Sequence, residues 1–99
     1  MPEFTPVQRA ALSFAALVRG HTGWRDGISR DRLSFTDPGW DPATQLFGSL
    51  AACLAGLYIA PGDPAGLGFA ALDAADAIEM QAAWLDLLTP VPSWKELHR

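Results

Sequence analysis

Between Gly20 and Trp40 the chain reads GHTGWRDGISRDRLSFTDPGW, and it gathers there Trp24, Arg25, Arg30, Arg32, Phe35 and Trp40. Trp and Arg are enriched where protein interfaces concentrate their binding energy. An arginine can stack on an indole and can also grip a carboxylate or phosphate through two parallel hydrogen bonds. The recognition chemistry that fits this set best is docking on another protein. Two other uses compete with it. Trp24, Ile28, Leu33 and Phe35 can pin the connection to a core while Asp26 and Asp31 neutralise the arginines. Alternatively, Arg25, Arg30 and Arg32 around a short recognition helix at Ser29–Leu33 can contact nucleic acid.

Catalytic chemistry finds a thin inventory. His21, His98 and Cys53 are the only soft metal ligands, too few and too scattered for a zinc site. A nucleophilic centre would have to combine Ser49 or Cys53 with His21, yet Gly48-Ser49-Leu50 lacks the strand-to-helix elbow pattern and Cys53 has no basic neighbour in sequence. Gly66-Leu67-Gly68-Phe69-Ala70-Ala71 has the spacing of a dinucleotide fingerprint, with Asp86 twenty residues after Gly66. That fingerprint needs a strand and a βαβ unit, for which Leu57-Tyr58-Ile59 is the sole tentative strand. Asp73, Asp76, Glu79 and Asp86 recur along one helix face. Asp73 and Asp76 could share a divalent cation, but no Glu-x-x-His pair faces them, and a solvated acidic face is the expectation. The chain is therefore expected to be non-enzymatic, without metal or cofactor.

Size and charge narrow the partners. Ninety-nine residues, 49 % apolar and 18 % charged, suffice for one small domain over residues 1–99 with one modest core. A net charge of −4 disfavours nucleic acid, because the average field repels phosphate. The charge is uneven: residues 1–42 hold five basic and five acidic groups, and residues 43–99 hold two basic and six acidic. The single cysteine and the start Met1-Pro2-Glu3, with Gln8, Arg9 and Ser13 in the first apolar stretch, predict a cytoplasmic protein without a signal peptide. Leu46 to Ala60 is 15 residues without a charge, short of the ~20 a spanning helix needs, and no membrane segment is expected. Arginine outnumbers lysine six to one and alanine occurs seventeen times, a bias of high-GC genomes, which suggests a bacterial or phage source in which a small regulator, adaptor or inhibitor would be at home.

The elements that must carry these residues are helices. Seventeen alanines and thirteen leucines against six Val plus Ile favour helix over strand. Thr5-Pro6, Asp41-Pro42 and Asp63-Pro64 each place a capping residue before a proline at the first helical position. The first helix is predicted over Pro6–Arg19, with Gln8 closing a capping box and Gly20 as a left-handed stop. Its buried face should hold Val7, Ala11, Phe14, Leu17 and Val18, with Arg9 and Ser13 away from the centre. A second, central helix is predicted from Pro42 to Tyr58 or Ala60. Its small residues Gly48, Ala52 and Gly56 would form a smooth stripe for close helix contact, including self-association into a homodimer. If those residues lined a cavity instead, the domain would bind a small ligand.

A third helix is predicted between Asp63 and Leu88, its start delayed to Leu67 or Phe69 if Gly66 and Gly68 weaken the first turn. It buries Leu67, Ala71, Ala74, Ile78, Leu85 and Leu88. Ser93 and Glu96 form a further capping box that would dock Trp94 on the rest. The sum is an all-α, compact three- to four-helix bundle with a long, partly ordered connection between helices 1 and 2, docking through residues 21–40.

Overall fold

The structure is a computed structural model that describes residues 4–37 and 39–89. All regular structure in the described residues is helical: α1 (Pro6–Gly20), α2 (Trp24–Gly27), α3 (Pro42–Phe47), α4 (Leu50–Gly56), a 3-10 helix (Pro64–Phe69) and α5 (Ala74–Leu88). The capping box at Ser93–Glu96 lies outside the described residues.

The three predicted starts are present because each is a local device. Thr5 Oγ1 accepts from the Gln8 backbone N–H at 3.1 Å, and Gln8 Oε1 accepts from the Thr5 N–H at 3.0 Å. Asp41 accepts from the Thr44 N–H at 3.1 Å and Asp63 from the Ala65 N–H at 2.9 Å. Each satisfies a backbone donor that the first helical turn leaves without a partner.

The helices end earlier than their apolar pattern suggests. Gly48 adopts φ 87°, a left-handed conformation that stops α3, and Ser49 then caps a new helix by accepting from the Ala52 N–H at 3.0 Å. The predicted central helix is thus two short ones with a joint at Gly48. Pro42 and Ala43 of α3 and Cys53 of α4 are the buried residues of this pair, which otherwise stands at the edge of the core and not at its centre. The predicted third helix is also divided. Gly68 sits so close to the Arg9 carbonyl that any Cβ would collide with backbone, and this stretch forms a 3-10 helix against α1. Helix α5 begins only after Asp73, whose carboxylate accepts from the Asp76 N–H at 2.8 Å. Gly20 is inside α1, which His21 ends by donating its N–H to the Leu17 carbonyl at 2.9 Å.

The core forms where α1, the 3-10 helix and α5 meet. Ala10, Leu17, Phe69, Ala77, Met80, Ala83 and Trp84 are buried there. The Trp84 indole N–H donates to the Gly68 carbonyl at 2.8 Å, and its ring lies 5.9 Å from Phe14 and 5.8 Å from Phe69. An indole fully enclosed in this way needs such a partner.

Both long helices are turned from the face predicted, which keeps Leu17 buried and Phe14, Leu85 and Leu88 packed against the core but loses its other members. In α1, Arg9, Ala10, Ser13, Ala16 and Leu17 are buried, while Val7 is 66 % exposed and Ala11 and Val18 are exposed as well. In α5 the buried set is Ala77, Met80, Ala83 and Trp84, and Ile78 is 67 % exposed. The cause is polar. Arg9 and Ser13 have partners in the interior, and satisfying them turns α1 away from its most hydrophobic side.

Candidate functional site

The interior polar residues serve the architecture. Arg9, 6 % exposed, donates through Nη1 to Asp76 Oδ2 at 3.0 Å and through Nη2 to Asp76 Oδ1, a two-pronged ion pair across α1 and α5. The Leu72 N–H donates to the same carboxylate at 2.8 Å. The hydrogen bond from Arg9 holds the Asp76 carboxyl below the usual carboxylate range, against the upward effect of burial, and the Leu72 N–H adds to the lowering. Asp76 is therefore not part of a solvated stripe. Asp73 is a helix cap, and Glu79 and Asp86 are exposed. Ser13 Oγ donates to the Ala65 carbonyl and accepts from the Gly68 N–H, both at 2.7 Å.

That last bond removes the dinucleotide reading. The Gly68 N–H is buried and already used, Gly66 and Gly68 lie in a 3-10 helix, and no strand occurs among the described residues. Cys53 is fully buried, and burial, with a smaller contribution from the Asp41 charge, pushes its thiol up to about 12. A thiol so held is a poor nucleophile at neutral pH. Ser49 is occupied as a helix cap. Among the described residues no group of three or more His, Cys, Asp or Glu is placed to hold a metal, and no helix is long and apolar enough to cross a membrane.

The connection between α1 and α3 is held from both ends. Ile28, Leu33 and Ser34 are buried. Ser34 Oγ accepts from the Thr36 and Asp37 N–H groups at 3.1 and 3.0 Å, and the Ser34 N–H donates to the Trp40 carbonyl at 3.1 Å. Gln45 of α3 ties the two limbs together: its Oε1 accepts from the Ser29 N–H at 2.6 Å and its Nε2 donates to the Trp40 carbonyl at 2.7 Å. Nothing in the sequence singled out Gln45, because a clamp over 16 residues has no local signature.

The six recognition residues divide. Trp24 opens the single turn α2 and meets Phe14 edge-on, with ring centroids 5.0 Å apart. The Arg25 guanidinium lies 5.1 Å from the Trp24 ring. Arg32 makes a second such pair with Trp40 at 5.0 Å, and Phe35 turns inward to pack on the core. Arg30 to Leu33 form a single turn closed by the Leu33 N–H donating to the Arg30 carbonyl at 3.3 Å, so the short helix expected at Ser29–Leu33 is absent.

Trp24, Arg25 and Arg30 converge on a groove of about 540 Å³, closed by Phe14 and Val18 of α1, by Ile28, and by Leu87, Leu88 and Thr89 at the end of α5. Arg32, Phe35 and Trp40 do not reach it. Among the described residues, three chain segments build this groove and none of the lining side chains is acidic.

The small residues of the second predicted helix are not brought together as one stripe. Gly48 is the exposed joint between α3 and α4, Ala52 is exposed on α4, and the Phe47 ring lies against Gly56. They line no part of the groove. No protein-family model matches the chain, and neither a curated protein nor a solved structure matches it.

Proposed function

We propose that residues 1–99 form a single cytoplasmic helical domain that acts without catalysis, as a regulator, adaptor or inhibitor that docks on another protein through the groove at Trp24. The observation that carries this reading is the groove itself, a largely apolar trough with two arginines and, among the described residues, no acid on its walls. Such a trough takes an aromatic or aliphatic anchor, and Arg25 and Arg30 favour an Asp or Glu beside that anchor in the partner. Its volume lies within the range of ~300–1,000 Å³ typical of ligand pockets, which is ample for one large side chain. Arg32 stacked on Trp40 and the turn at residues 30–33 leave the nucleic-acid alternative without its recognition helix.

Selection from a displayed random-peptide library on the purified chain tests the reading. Enriched peptides should pair an aromatic or large aliphatic residue with an acidic neighbour, and should be lost from the Trp24→Ala variant. Enrichment of peptides rich in Lys and Arg, or of peptides indifferent to Trp24→Ala, would refute it.

A further inference from the structure

We propose that the same groove takes a free medium-chain fatty acid, its hydrocarbon chain along the trough and its carboxylate at Arg25 and Arg30, so that a small amphipathic acid competes with the partner. The inference rests on the reading of the groove as the docking site and adds a second class of occupant. Phe14 and Val18 of α1, Ile28, and Leu87 and Leu88 of α5 give the trough walls without side-chain polar atoms. Its volume of about 540 Å³ falls within the ~300–1,000 Å³ of small-molecule sites, which pair such walls with a few placed polar groups.

The charged groups on these walls are of one sign. Arg25 and Arg30 both line the groove, and among the described residues neither forms an ion pair with the neighbouring acids Asp26 and Asp31. The Arg25 guanidinium lies over the Trp24 ring at 5.1 Å, where it meets a π face and not an acid. A guanidinium beside apolar surface gains most from a carboxylate, through charge-assisted hydrogen bonds. An inorganic anion would leave the apolar walls wet, and a neutral hydrocarbon would leave the arginines unused. A fatty acid joins both halves in one molecule, and each methylene it buries adds to its affinity. At a concentration ten times its Kd it leaves about one groove in eleven open, and the partner's apparent affinity falls by the same factor.

Titration of the isotopically labelled full chain with octanoate, kept below its micelle concentration and followed at the side-chain methyls, tests the proposal, with octylammonium as the cation of equal chain length. Octanoate should shift the methyls of Val18, Ile28 and Leu88 saturably, and decanoate should bind about tenfold more tightly. Octylammonium should leave those methyls unmoved. Arg30→Gln should weaken octanoate at least fivefold, and Val18→Glu, at an exposed position that the fold does not bury, should abolish its binding. Octanoate should also displace a library-selected peptide. The proposal is overturned by octanoate that leaves the methyls unmoved, by octylammonium that binds as well, or by an octanoate affinity unchanged in Arg30→Gln. Failure of the docking reading looks different: peptide affinity is then insensitive to Trp24→Ala while octanoate still saturates the groove methyls.

Discussion

Arg9 and Asp76 show how far one residue pair can set a register. Taking Asp76 to Ala leaves the guanidinium in the interior without its main partner, and this should lower stability by ~3 kcal/mol in urea denaturation, the low end for breaking a buried pair. The double replacement Arg9→Met with Asp76→Leu should recover most of that loss, because it removes both charges. The pH dependence follows from the lowered carboxyl of Asp76. A carboxyl that is more acidic in the folded than in the unfolded chain stabilises fully above the unfolded value of ~3.9, and the contribution is lost as pH falls through the folded value. In Asp76→Asn the fall of stability on acidification from about pH 5 downward should therefore be shallower than in the wild type. Cys53 gives an independent check of the core: with its thiol pushed up to about 12, it should resist labelling by a maleimide at neutral pH until the chain unfolds.

At the scale of elements, three helix starts were legible, those of α4 and α5 at Ser49 and Asp73 were not, and the buried faces were legible only in part. Thr5, Asp41 and Asp63 announce helices because a cap and its proline are neighbours in sequence. The buried faces of α1 and α5 depend on Arg9 reaching Asp76, 67 residues away, and on Ser13 meeting Gly68, 55 residues away. Hydrophobic periodicity carries no trace of such partnerships, so it favoured Val7 and Ile78, both exposed.

Gly48 was ambiguous for another reason. A glycine at four-residue spacing from Ala52 and Gly56 reads equally as a smooth contact or as a left-handed break, and its φ of 87° decides for the break. With open space around that position, Gly48→Ala should cost about 1–2 kcal/mol from backbone strain alone, measured by thermal or urea unfolding. Asn, which tolerates the left-handed region, should cost less. Gly68→Ala should be far more damaging, because its Cβ would meet the Arg9 backbone rather than a side chain that can move.

For the whole molecule, the decisive feature joins the end of α1, the turn α2 with the following strand of loop, and the end of α5. The sequence singled out six residues of this connection, and the structure brings three of them, Trp24, Arg25 and Arg30, to one groove. The sequence could not separate these from Arg32, Phe35 and Trp40, because Gln45, the far-off clamp, fixes the path of the loop. That separation makes the account testable with matched variants. The direct measurement is calorimetric titration of a library-selected peptide into wild type, Trp24→Ala, Arg30→Ala and Arg32→Ala at moderate salt. The account predicts about tenfold weaker binding for each of the first two variants, near 1.4 kcal/mol, and no change for Arg32→Ala. Equal weakening by Arg32→Ala, or undiminished binding by Trp24→Ala, would contradict the assignment of the groove as the docking site.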